Sequence, residues 1–286
     1  MKQFPSFDAM LRDPRIYEVN TVPAHSDHIF YSDEAHRAAD DRSDLCMSLD
    51  GAWYFHYTRG QTVSDDAFYA PGRDLKGWET INVPSHVQMA GYETPKYVNT
   101  QYPWDGHRNV AIGEVYDAEN AQGDYARYFT LPETMRGRTV RLRFEGAEPC
   151  VMVWLNGAFV GYSEDSFTPS EFDLTPYLDQ TGENKLCVRV TKWCSGTWLE
   201  DQDFWRFFGI FRSVALWALP ETHIDDVFVK TELSDDFARA DVRACVRLAA
   251  GAPAEVRAEL YDPDGALAAK ACAHIDLSLI QISEPT

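Results

Sequence analysis

Between residues 138 and 192 the chain alternates apolar and polar side chains in short runs that no helix can accommodate. In "RTVRLRFEG", Val140, Leu142 and Phe144 alternate with Thr139, Arg141 and Arg143; in "KLCVRVTK", Leu186, Val188 and Val190 do the same. A period of two puts each set on one side of a strand, so each segment reads as a strand with one buried face. Between them, "CVMVWLNGAFVGYSE" carries Asn156-Gly157, a pair that tolerates the positive φ values of a type I′ hairpin turn. Only "TPYL" suggests a single helical turn. The same texture starts at Gly51 with "GAWYFHY" and continues through "ETINVPSHV". Strands separated by turn signals every ten or so residues predict an all-β fold, an antiparallel sandwich of the jelly-roll kind over residues 51–219.

On either side the pattern changes. Residues 1–50 show neither helical nor strand periodicity and read as an amino-terminal arm. Near "ALPETHIDDVFVK", Pro220 interrupts the alternation, which restarts with Ile224, Val227 and Val229. Strands are expected in "IDDVFVKTEL", "ARADVRACVRLA", "AEVRAELYDPDG" and "ALAAKACAHIDL", the third closing on the turn Pro263-Asp264-Gly265. About 65 residues remain for this second domain, against the roughly 100 of an immunoglobulin-like sandwich. Residues 220–286 are therefore expected to be a truncated immunoglobulin-like β-sandwich.

Forty-five acidic against 26 basic residues give a formal charge of −19, which repels a phosphate backbone and argues against nucleic acid or anionic membrane surfaces as partners. "MKQFPSFDAMLRDPR" lacks the apolar core of a signal peptide, and no run approaches the roughly 18 apolar residues of a membrane span. A soluble cytoplasmic protein is expected. The six cysteines form no C-x-x-C pair and lie at no zinc-ligand spacing with a histidine, and no histidine pair has the i, i+4 spacing of a helical metal site. There is no glycine-rich phosphate loop and no G-x-S-x-G elbow.

The chemistry gathers in "TWLEDQDFWRFFGIFR", residues 197–212. Glu200, Asp201 and Asp203 stand within four positions, surrounded by Trp198, Phe204, Trp205, Phe207, Phe208 and Phe211. An unpaired carboxylate buried among rings costs several kcal/mol. Glu200 and Asp201 fit turn formers or partners of Arg206 and Arg212. Phe204, Trp205, Phe207 and Phe208 fit core better than an exposed platform.

Together with "DGAWYFHY", "INVPSHVQMAGYETPKYVNTQYPW", "VWLNGAFVGYSEDSFTPSEFDLT" and "GENKLCVRVTKW", this stretch resembles the amino-terminal part of the long bacterial β-galactosidases of glycoside hydrolase family 2, from about residue 45 to 235. "W-x-N-G" alone is common among sugar-binding sandwiches. "VPSHVQMAGYETPKYVN" and "LEDQDFWR" are specific to the galactosidase branch and speak against a β-glucuronidase or β-mannosidase. The resemblance implies a jelly-roll domain packed on a separate (β/α)₈ barrel that holds two catalytic glutamates, with the "LEDQD" loop reaching the barrel's mouth. It implies that Asp203 ligates a sodium ion beside the sugar's 6-hydroxyl and that Asn99 lines the galactose pocket. A carboxylate facing a cation and sugar hydroxyls is no longer unpaired. It further implies magnesium in the barrel, a terminal β-galactoside as substrate and a homo-oligomeric parent. Trp104 is left open between sugar stacking and core, and Asp165 in "SEDS" reads as a support for the loop.

A retaining glycosidase needs two carboxyl groups about 5 to 5.5 Å apart. In the family the acid/base glutamate follows an asparagine, and the chain has no Asn-Glu dipeptide and no α/β alternation from which a barrel could be built. No catalytic residue is therefore expected in this chain, which reads as an amino-terminal portion of a retaining β-galactosidase, inactive alone. A self-sufficient carbohydrate-binding sandwich is the alternative from another class.

Overall fold

In the computed structural model, residues 4–38, 43–60, 67–105, 110–111, 113–117, 119–200, 203–249 and 251–275 are described. Strand accounts for 43% of the described residues and helix for 8%. Two compact units form, one from Met1–Val22 with Cys46–Trp217, the other from Pro23–Leu45 with Ala218–Thr286. The segment expected as an arm is thus shared between them.

Strands are numbered in chain order. The first unit is a jelly-roll sandwich of two antiparallel sheets. The larger contains β1 (Glu18–Val19), β3 (Gly51–Thr58), β4 (Glu79–Val83), β6 (Gln122–Phe129), β8 (Cys150–Leu155), β9 (Ala158–Ser163) and β11 (Asn184–Thr191), in the order β1-β9-β8-β11-β6-β3-β4. The smaller runs β10-β7-β13-β2, from Ser170–Asp173, Thr139–Phe144, Val214–Leu219 and Cys46–Ser48. Val140, Leu142 and Phe144 are buried, as their period predicts. Asn156 and Gly157 join β8 to β9 with φ of 52° and 88°, the turn expected of that pair. The two sheets approach so closely that a Cβ on Gly161 would lie 2.6 Å from the Phe172 ring.

One expectation needs correcting. β11 was expected to bury a single face, yet all eight of its residues are buried. The reason is a further layer. Helix α1 (Phe7–Arg12) and the segment around Phe68, Tyr69 and Trp78 cover the sheet's second face, with the Phe7 and Tyr69 rings 5.4 and 4.9 Å from Trp154. The polar residues of β11 are therefore satisfied within the protein. Lys185 Nζ donates to the carbonyls of Phe68, Ala70 and Arg73 at 2.9, 3.0 and 3.3 Å. Arg189 grips Asp124 on β6 through two bonds of 2.6 and 2.9 Å.

A two-stranded ribbon, β5 (Lys96–Val98) with β12 (Phe204–Arg206), completes the first unit. The second unit holds two hairpins, β14 (His223–Leu233) with β15 (Ala240–Ala249), and β16 (Ala254–Tyr261) with β17 (Leu267–Ile275). These are the four strands expected. Ser26 docks on the first hairpin, its N–H donating to Asp226 at 2.8 Å and its hydroxyl accepting from Val227 N at 2.8 Å. Ladder register shifts at that point, between Ile224 and Asp226. Between the hairpins runs an apolar groove of about 340 Å³, lined by Val227, Val229, Val246, Val256 and Leu260 among others. Among the described residues no helix is long and apolar enough to cross a membrane.

Candidate functional site

The β5–β12 ribbon brings the two expected site residues together. Phe204 pairs with Val98, Trp205 with Tyr97 and Arg206 with Lys96. Phe204 and Val98 form the last pair of the ladder, so Asp203 and Asn99, 104 positions apart in sequence, each adjoin that pair at the same end of the ribbon. Both are exposed. Asp203 Oδ1 accepts from the Tyr97 hydroxyl, and that bond raises the Tyr97 phenol above its ordinary pKa. Asn99 Oδ1 accepts from Thr100 N at 2.7 Å, so the side chain helps to shape its own turn.

The turn at residues 163–166 and the segment at residues 195–200 are joined by reciprocal acid–hydroxyl pairs. Glu164 accepts from Ser195 Oγ at 2.9 and 3.0 Å and from Tyr162 OH at 2.6 Å. In return, Ser166 Oγ donates to Glu200 Oε2 at 2.5 Å. Burial raises both carboxyls above the usual range, opposed by these hydroxyl bonds. Arg206 Nη1 caps the loop from the far side through the Glu200 carbonyl at 3.1 Å. Glu200 is accordingly bound to Ser166 through its side chain and to Arg206 through its backbone. Asp165 accepts from Thr168 N at 3.1 Å and faces its own turn. Asp201 lies outside the described residues.

The aromatic residues divide by the alternation of β12. Phe208 is fully buried and Phe204 partly so, while Trp205 is half exposed and stacks on Phe207 with planes 7° apart. Trp205 is thus not the core residue expected, because a two-stranded ribbon leaves one face open. Trp104 is core: 2% exposed, parallel to Tyr102 and edge-on to Trp193 and Trp198. The Tyr102 hydroxyl donates to the Trp198 carbonyl at 3.2 Å, and Trp198 Nε1 to the Glu114 carbonyl at 2.8 Å, which fixes the start of the loop. Tyr97 and this clamp were not foreseen, since a lone Tyr in "PKYVN" gives no sign of its cross-strand partner.

Glu148 was also missed. It stands in "GAEP" before β8, is 8% exposed, and its backbone exchanges two hydrogen bonds with Gly209, of 3.0 and 2.9 Å. Burial, then the nearby Glu200, push its carboxyl up to about 8, against the pull of Arg206. The folded state therefore holds this proton more tightly than the unfolded chain, and stability contributed here falls as pH rises from about 4.5 to about 8. Glu148→Gln is expected to match the parent at pH 4 and to exceed it at pH 9 by on the order of 2 kcal/mol. All eight tryptophans lie in the first unit, so their fluorescence in urea isolates its unfolding. Parallel pH profiles for the two proteins would remove Glu148 from the account.

A jelly-roll sandwich is an architecture that lectin domains share with other proteins. The sequence profile described as "Glycosyl hydrolases family 2, sugar binding domain" matches residues 46–220. The chain belongs to that family. It is 45% identical over 263 residues to a β-galactosidase of Halalkalibacterium halodurans, covering 91% of this chain and 26% of the relative. With a β-galactosidase of Clostridium acetobutylicum it shares 42% over 261 residues, or 91% and 29% of the two chains. A "Beta-galactosidase large subunit" of Latilactobacillus sakei is 45% identical over 234 residues, covering 78% of this chain and 37% of that one. The chain thus spans little more than a quarter of the first two relatives. Among solved structures, a Bacteroides uniformis β-glucuronidase superposes with a TM-score of 0.64 at 24% identity, over 84% of this chain and 27% of that one, a likeness of fold alone.

Proposed function

We propose that this chain is the sugar-pocket border of a retaining β-galactosidase that hydrolyses terminal, lactose-type β-D-galactosides in the cytoplasm. The observation that carries the reading is the ribbon end that Asp203 and Asn99 both adjoin, each with an exposed side chain. Asn99 offers both a donor and an acceptor to sugar hydroxyls. Asp203 and the Tyr97 phenol, joined by a hydrogen bond, offer oxygen donors, which suit a hard cation such as sodium. A bound sodium ion would supply a fixed positive charge beside the sugar's 6-hydroxyl. Tyr97 orients the Asp203 carboxylate through its hydrogen bond, and the exposed face of Trp205 provides an apolar wall.

The bond-breaking groups belong elsewhere on this reading. Glu200, the acid in the loop best able to pair with Asp203, is taken by Ser166 and Arg206, and among the described residues no alternation of strand and helix builds a barrel. Two barrel glutamates would carry the retaining chemistry, with magnesium bound in that domain and the whole enzyme a homo-oligomer. The purified chain is expected not to hydrolyse a chromogenic β-galactoside above a no-protein control. Put in place of the matching segment of the Halalkalibacterium relative, it is expected to support turnover of the galactoside and not of the glucuronide. Turnover by the chain alone, or glucuronide preference in the chimera, would overturn the proposal. Galactose binding by the chain combined with an inert chimera would favour a free-standing binding module.

A further inference from the structure

The β16–β17 hairpin has two unlike faces. Along it Ala254, Val256, Ala269, Ala271 and Ala273 are partly buried, while Glu255, Arg257, Lys270, Cys272 and His274 are exposed on the opposite side. On that outer face three residues of metal-ligating type converge. Cys272 and His274 are two apart on one strand and so point the same way, and Glu255 stands directly across from His274 in the ladder. One ligand atom from each of the three lies within 4.8 Å of the other two, the only such group among the described residues. His274 Nε2 is 3.3 Å from Glu255 Oε2.

We propose that Glu255, Cys272 and His274 form a binding site for one borderline-soft divalent cation, zinc above all, which ties β16 to β17 across their outer face. The donor set is thiolate, imidazole and carboxylate, which selects zinc over magnesium or calcium. Zinc bonds of about 2.0 to 2.3 Å in tetrahedral geometry separate their ligands by roughly 3.3 to 3.6 Å. The Glu255–His274 distance already meets that spacing, and the exposed Cys272 needs to move by about 1.5 Å at most to meet it. Cys272 hydrogen-bonds to Glu255 as well. The ion would replace the protons that these groups now share with the carboxylate. Three protein ligands leave a fourth position for water. Arg257 is the competitor, since its Nε also binds Glu255; it is itself exposed, and exposed pairs of this kind are weak. Ligation by a thiolate expels a proton, so binding tightens as pH rises.

Cobalt(II) is the probe, because a thiolate ligand gives it a charge-transfer band in the near ultraviolet. The 286-residue chain under reducing conditions is expected to develop that band to saturation at one cobalt per chain and to lose it when zinc is added. Magnesium and calcium should not displace the cobalt. Cys272→Ser should abolish the band, and His274→Ala and Glu255→Gln should each weaken apparent affinity about ten-fold or more. Arg257→Gln keeps all three ligands and removes the competitor, so binding should be no weaker. These are surface substitutions, and unchanged circular dichroism separates lost ligation from lost folding. A band that survives in Cys272→Ser places the metal at another cysteine, and no band in the parent chain ends the proposal outright.

Discussion

Asp203→Asn in the active chimera is expected to abolish the sodium dependence of galactoside hydrolysis and to lower the rate about 100-fold at a sodium concentration that saturates the parent. The substitution keeps the shape of the side chain and removes the charge that holds a cation. Even groups that only orient a metal ligand cost 10- to 100-fold when changed, so loss of the ligand itself should lie at or beyond that limit. The rate is measured across a sodium series at constant ionic strength, so that screening of exposed charges stays fixed. Two neighbours serve as controls. Asp201→Asn should leave the sodium response intact. Glu200→Gln still accepts from Ser166 and should shift the response little, whereas Ser166→Ala removes the loop's tie and should weaken sodium and sugar together. If the Asp203 variant keeps the parental response while the Asp201 variant loses it, the ligand sits two residues earlier in the loop.

Strands were legible in the sequence because period-two alternation is a local signal, and the Asn156-Gly157 turn because its backbone demands those residue types. What lay out of reach were contacts whose partners are remote. β5 and β12 are three residues each, too short to show a period, so the pairing that carries Asn99 and Asp203 to one end of a ribbon has no local signature. The resemblance to a family named both residues and left their juxtaposition unstated. Trp205 was misread because hydrophobic composition does not tell an open ribbon face from a core strand. Glu148 had no sequence signal at all: one acid between two apolar strands looks like a solvated corner until the sheets close over it. Alternation also understated β11, whose polar residues face a covering layer drawn from residues 7–12 and 68–78.

Beneath that covering layer lies a buried ion pair with a large expected effect on stability. Arg189 and Asp124 face each other across β11 and β6, with side chains only 6% and 3% exposed, and the guanidinium lies 5.0 Å from the Phe68 ring centre. Two charges removed from water together are tolerable because each desolvated group has its counterpart. Taking away one partner leaves the other charge under the same layer without its main compensation. Arg189→Met and Asp124→Leu, each made in the 286-residue chain, are therefore expected to lower the stability of the first unit by about 3–5 kcal/mol, read by tryptophan fluorescence in urea. The double variant replaces the pair with apolar side chains of similar length, so it should recover most of that loss and come within about 1–2 kcal/mol of the parent. Salt should change the parent's stability little, since a buried pair is poorly screened. Singles that cost less than about 1 kcal/mol would mean that water reaches the pair. Losses that simply add in the double variant would mean that the two residues act through separate contacts, and the layer over β11 would then owe its stability to Phe7, Phe68 and Trp154 rather than to the ion pair beneath it.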